Sequence, residues 1–207
     1  MTQTQINTFY SNRSTRMFSV ELEVNSMDYT QAHRALTTFG VTDAVRNAVA
    51  FGRYRTTHNP NVWVAATDCT VGAEIKTNPS KDLLALKDGC DALKNANATI
   101  AANCGAHVNI DAGDFNLEDY KRLAKLWCKY ERLILSLAPR NREDSGYARA
   151  NYRTYGNASG LLWDRIEQCD SMSCLRRLVA PARECNMNLM HSDELTSSRV
   201  EFRFMGG

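Results

Sequence analysis

The chain has 207 residues, 25 basic against 23 acidic side chains for a formal charge of +2, and 43% apolar residues. That composition excludes intrinsic disorder, which needs fewer apolar residues and a larger charge imbalance, and it argues against a dedicated nucleic-acid binder. No apolar run approaches the roughly 18 residues of a membrane span, and the polar first twelve residues do not read as a secretory leader. The length and the lack of a dividing linker fit a single domain over 1–207.

Residues 16–25 read as a strand, because Phe18, Val20, Leu22 and Val24 alternate with Ser19, Glu21, Glu23 and Asn25. Residues 29–39 and 42–51 read as two short helices broken at Gly40. Strands are expected over 62–67 and 72–77. A helix then starts at the N-cap Ser80 and buries Leu83, Leu86, Cys90 and Leu93. Residues 105–111 form the next strand, with Val108 and Ile110 on one side and His107, Asn109 and Asp111 on the other. A long helix follows, capped by Asn116 and stopped by Pro139. Its apolar residues Leu123, Leu126, Trp127, Tyr130, Leu133, Ile134 and Leu137 recur at three and four. Residues 140–160 read as a polar lid or substrate loop, where Tyr147, Tyr152 and Tyr155 are interleaved with Arg149 and Arg153. Two short helices precede Pro181, and strands are expected over 186–191 and 199–204. The pattern is α+β: a mainly antiparallel sheet of about five to six strands with helices packed on one face.

Charge is unevenly spread. Residues 1–119 sum to −3, 120–183 to +7 and 184–207 to −2. Either an acidic and a basic portion jointly hold a metal and a polyphosphate, or these are solvated faces. Seven scattered cysteines suit a reducing cytoplasm better than a disulfide frame. Cys169, Cys174, Cys185 and His191 fit no tight zinc-knuckle spacing. Cys104 lies three residues before His107, on the opposite strand face, and reads as a buried thiol.

The polar strand faces carry the chemistry. Period two pairs Glu21 with Glu23, Glu74 with Lys76, His107 with Asn109 and Asp111, and Glu201 with Arg203, while Asp68 ends its strand. Carboxylates gathered on one concave surface repel, and a divalent cation such as Mg²⁺ or Mn²⁺ relieves that repulsion. The alternative is a sheet whose outer face is simply wet, and spacing alone does not separate the two. No P-loop, GxGxxG or GxSxG motif occurs.

The segments FSVELEV, WVAATDCTVGAEIKTNPS, NCGAHVNID, YERLILSLAPRNRE followed by Tyr147, and VEFRF occur in this order. Together they resemble the amidoligase family of bacteria and phages, a carboxylate–amine ligase group with a glutamine-synthetase-like catalytic fold. The resemblance spans residues 18–206. It implies metal ligation by Glu21, Glu23, Asp68, Glu74 and Glu201, and phosphate contacts by Arg140, Arg142 and Arg203. It implies catalytic roles for Glu21, Glu23, His107 and Arg203. The activity implied is ATP- and Mg²⁺-dependent amide or isopeptide formation through an acyl phosphate, from small-molecule or peptide carboxylates and amines, in the cytoplasm. Three departures stand out. Asn109 replaces a second histidine, Cys69-Thr70 follows Asp68 where a small residue and serine are usual, and the chain stops soon after the Glu-Phe-Arg strand. The last implies a C-terminally shortened member or a fragment. Two other classes stay open: a metal-dependent phosphodiesterase or nuclease, and a non-catalytic binding module on the same fold.

Overall fold

A computed structural model describes residues 16–38, 45–47, 63–67, 70–81, 83–138, 146, 148–151, 159–192 and 198–206. In chain order the elements are β1 (Phe18–Val24), α1 (Tyr29–Thr38), β2 (Val45–Asn47), β3 (Trp63–Ala66), β4 (Ala73–Thr77) and α2 (Leu83–Asn95). There follow β5 (Gly105–Asp111), α3 (Leu117–Leu135), α4 (Ser159–Glu167), α5 (Met172–Val179), β6 (Met187–Asn188) and β7 (Arg199–Gly206). The fold is α+β with mostly antiparallel strand pairing. Among the described residues no helix is long and apolar enough to cross a membrane. The chain divides into two compact units, Met1–Val108 with Gly207, and Asn109–Gly206.

In the first unit the strand order is β2-β3-β4-β1-β5. β1 pairs antiparallel with β4, and β4 with β3, whereas β2 and β3 run parallel. The core joins Val24, Trp63, Ala65, Ala73 and Ile75 of the strands to Ala32 and Leu36 of α1 and to Ala92 and Leu93 of α2. Asp28 starts α1. Its carboxylate accepts from the backbone N–H of Thr30 and Gln31, and Gln31 Oε1 accepts from the Asp28 N–H in return. Gly89 lets α2 approach the sheet closely, because a Cβ there would stand 2.0 Å from the Trp63 ring.

Three expectations change here. Residues 45–47 form a strand where a helix was expected, because pairing with β3 overrides a spacing that suits either state. Ser80 does not cap α2. It exchanges both backbone hydrogen bonds with Phe18, and the helix starts at Leu83. Cys90, expected in the buried face of α2, is exposed.

In the second unit β6 pairs antiparallel with β7. The core gathers Tyr120, Ala124 and Trp127 of α3, Leu162 and Ile166 of α4, Leu175 and Val179 of α5, and Met187, Leu189 and Val200. Asn116 caps α3 with a capping box. Its side chain accepts from the N–H of Glu118 and Asp119, and Asp119 returns the bond. The buried stripe of α3 is Tyr120, Lys121, Ala124, Trp127, Glu131 and Leu135. Leu126, Tyr130, Leu133 and Leu137, expected inside, are exposed. The helix is turned so that two polar residues lie inside, each hydrogen-bonded. Lys121 Nζ donates to Glu118 Oε1 at 2.8 Å and to the Glu167 carbonyl at 2.9 Å. Glu131 Oε1 accepts from Trp127 Nε1 at 3.0 Å and from the Asn151 backbone N–H at 2.6 Å. The Asn151 carboxamide in turn donates to the Val179 and Met187 carbonyls and accepts from the Met187 N–H. These bonds offset the cost of taking polar groups out of water.

Candidate functional site

Strand alternation turns Val24 into the core of the first unit and Glu21 and Glu23 to the other face of β1. The antiparallel register sets Glu23 directly opposite Glu74, and Glu21 opposite Lys76. Lys76 reaches both along its own strand and across to β1, with Nζ 2.8 Å from Glu74 Oε2 and 3.9 Å from Glu21 Oε2. On the other side of β1, β5 brings in His107, which is buried. Its Nδ1 lies 3.4 Å from Glu21 Oε2 and its Nε2 3.9 Å from Glu23 Oε1. One ligand atom from each of Glu23, Glu74 and His107 lies within 4.8 Å of the others.

Two carboxylates directly opposite on adjacent strands destabilise the pair unless a cation stands between or beside them. Lys76 supplies one positive charge from the side. The remaining donor set is two carboxylates and one imidazole. Carboxylate oxygens suit Mg²⁺ and Mn²⁺, and the imidazole nitrogen favours the softer Mn²⁺. The residues therefore fit a divalent cation held by Glu23, Glu74 and His107, with Glu21 hydrogen-bonded to the imidazole and able to fix its ring.

The second unit has its own polar strand face. Val200 and Phe202 pack into the core, so Arg199, Glu201 and Arg203 share the opposite side of β7. Asn188 of β6 pairs with Glu201 in register and donates its Nδ2–H to Glu201 Oε2 at 2.6 Å. Arg203 Nη1 donates to Glu201 Oε1 at 2.6 Å. Arg199 Nε donates to Asn109 Oδ1 at 3.3 Å. Glu201 is almost fully buried and serves as a two-armed acceptor that holds the Arg203 guanidinium in place.

Residues 4–204 match the family model described as "Putative amidoligase enzyme". The chain belongs to the amidoligase family. No curated protein and no solved structure matches it.

Set against the amidoligase motifs, Glu21, Glu23, Glu74 and His107 gather on one strand face of the first unit, and Glu201 and Arg203 are bonded partners in the second. Asp68, Arg140 and Arg142 lie outside the described residues, as do Tyr147, Tyr152, Arg153 and Tyr155. Asn109, which replaces a histidine of the family pattern, is buried and bonded to Arg199 through its carboxamide oxygen. Sequence reasoning left out Asn188 and Arg199 as site residues. Asn186 and Asn188 alternate with Met187 and Leu189 as the polar residues of β1 alternate with its apolar ones, but the strand there, Met187–Asn188, is only two residues long. Trp63 and Trp127 are core residues, the latter packed on Phe202 with ring centroids 5.0 Å apart. Cys104 is buried.

Proposed function

We propose that this amidoligase-family protein is an ATP-dependent carboxylate–amine ligase that uses Mg²⁺ or Mn²⁺ and forms an amide or isopeptide bond through an acyl phosphate. The observation that carries the reading is Glu23 facing Glu74 beside the buried His107, a donor set that calls for a cation. Family membership supplies the reaction class.

A carboxylate is a poor electrophile at neutral pH. Transfer of the ATP γ-phosphoryl group to it creates a good leaving group, and attack by the amine then expels phosphate. When bound, the divalent cation neutralises charge on the triphosphate. Glu23, Glu74 and His107 would hold that cation. Glu21 fixes the His107 ring through Nδ1 and would accept the proton of the attacking amine. Arg203 takes the phosphoryl-contacting role that the Glu-Phe-Arg motif implies. Glu201 and Asn188 pre-set its guanidinium and lower the cost of ordering it. Asp68, Arg140 and Arg142 keep the metal and phosphate roles that the motifs imply.

The test is phosphate release from ATP over a matrix of carboxylates and amines, with Mg²⁺ or Mn²⁺. Release that requires both a carboxylate and an amine, together with a condensed product by mass spectrometry, supports the ligase. Cleavage of a phosphodiester without either would instead establish the hydrolase. ATP that neither binds nor turns over in the full-length chain would sink the ligase reading.

A further inference from the structure

Cys169 and Cys174 belong to no part of the site described above. Cys169 follows the end of α4, with its N–H bonded to the Ile166 carbonyl. Ser171, in extended conformation, caps α5 and accepts the N–H of Cys174 at 3.3 Å. This cap folds the chain back and places Cys174 over Cys169. The Cys174 thiol donates to Cys169 Sγ at 2.9 Å, and the Cys169 thiol donates to the Arg165 carbonyl at 3.4 Å. The two sulfurs are therefore within roughly 1 Å of the covalent S–S distance of about 2.0 Å. Among the described residues, clusters of three or more metal-ligating groups occur only around His107, so no third ligand makes this pair a metal site.

We propose that Cys169 and Cys174 are a reversible thiol–disulfide site, reduced at rest and closed by a hydroperoxide or a small-molecule disulfide. Cys174 is partly exposed and meets the oxidant, whereas Cys169 is buried. With hydrogen peroxide, the Cys174 sulfur attacks the O–O bond, which breaks to give a sulfenic acid and water. The Cys169 sulfur then displaces the sulfenic hydroxyl, the S–S bond forms, and the Cys169 proton leaves with that hydroxyl as a second water. Two thiols lose two protons and two electrons, and hydrogen peroxide becomes two waters; with oxidised glutathione, Cys174 forms a mixed disulfide as one glutathione thiol leaves, and Cys169 displaces the second. Burial, reinforced by the Cys174 sulfur, pushes the Cys169 thiol up to about 12, so it stays protonated at neutral pH and acts second. The closed pair ties the end of α4 to the start of α5. The same end is already held by Lys121, which donates to the Glu167 carbonyl, and by the Lys125–Glu167 ion pair.

Cleavage after Arg165 and Arg176 releases one peptide, residues 166–176, that contains both cysteines. The folded full-length protein is treated with hydrogen peroxide or oxidised glutathione, alkylated, digested and weighed. The expected result is loss of two hydrogens on that peptide, reversal by dithiothreitol, and alkylation of the exposed Cys90 in untreated protein. The oxidised form is expected to melt roughly 4–8 °C higher, from closure of so short a loop in the unfolded chain. Cys174→Ser should abolish the mass loss. Two alkylated thiols after oxidation, a lone glutathione adduct on Cys174, or equally fast closure in urea would each overturn the proposal.

Discussion

Replacing Glu23 with Gln removes one charge from the Glu23–Glu74 pair while keeping the side chain's size. The two carboxylates present ligand atoms no more than 4.8 Å apart. At an effective dielectric of about 20, that separation corresponds to roughly 3 kcal/mol of repulsion. Partial solvent access and the Lys76 ammonium 2.8 Å from Glu74 reduce this, leaving about 1–2 kcal/mol. In chelator, Glu23→Gln should therefore be more stable than the parent, with Tm higher by about 2–8 °C. Saturating Mn²⁺ or Mg²⁺ should reverse the order. The parent gains about 2.7 kcal/mol at a cation concentration a hundred times the Kd, and the variant, short of a charged ligand, gains far less. Melting curves of both proteins in chelator and across a cation titration measure the four numbers needed. A variant that is less stable in chelator and responds to cation as the parent does would refute the reasoning.

Gly89→Ala should destabilise by about 1–3 kcal/mol in urea unfolding, although alanine favours helix, because overpacking against the buried Trp63 outweighs the propensity gain. Glu131→Ala should cost about 3–5 kcal/mol, since it strips a buried acceptor from Trp127 and the Asn151 N–H. Glu131→Gln, which keeps the accepting oxygen, should cost far less in the same assay. The hydrogen bond from Lys121 holds the Glu118 carboxyl below its ordinary value of 4.5. That stabilisation is present above the unfolded-state value and is lost as pH falls through the folded one. Glu118→Gln should accordingly flatten the acid limb of a stability-against-pH curve.

Local signals carried much of the fold. The alternation in β1 and β5 and the Asn116 cap of α3 are written in adjacent residues, and each appears within a residue or two of its expected place. What the sequence concealed depends on distant partners. Residues 45–47 become a strand only because β3 offers a parallel edge, and Ser80 leaves its expected cap to pair with Phe18. Lys121 and Glu131 read as solvated charges on an amphipathic helix. Their burial follows from the Glu167 carbonyl and Asn151, which lie 46 and 20 residues away. The carboxylates of the candidate site were visible as types and spacings. That Glu23 faces Glu74 required the register of β1 on β4, which no single strand encodes.

The bonds of Asn151 to Met187 have a consequence for the protein's behaviour in a crowded solution. β6 is the last strand in its order, and a strand in that position normally offers bare N–H and C=O groups to any passing chain. Here the Asn151 carboxamide occupies both backbone groups of Met187, standing in for a residue of a neighbouring strand. Arg149 does the same for the stretch before it, donating to the Glu184 carbonyl and accepting from the Asn186 N–H. The rim is thus sealed from within, by the Asn151 side chain and the Arg149 backbone, against edge-to-edge assembly. Asn151→Ala would reopen it, and that variant should aggregate sooner than its loss of stability alone accounts for, which light scattering on heating would register.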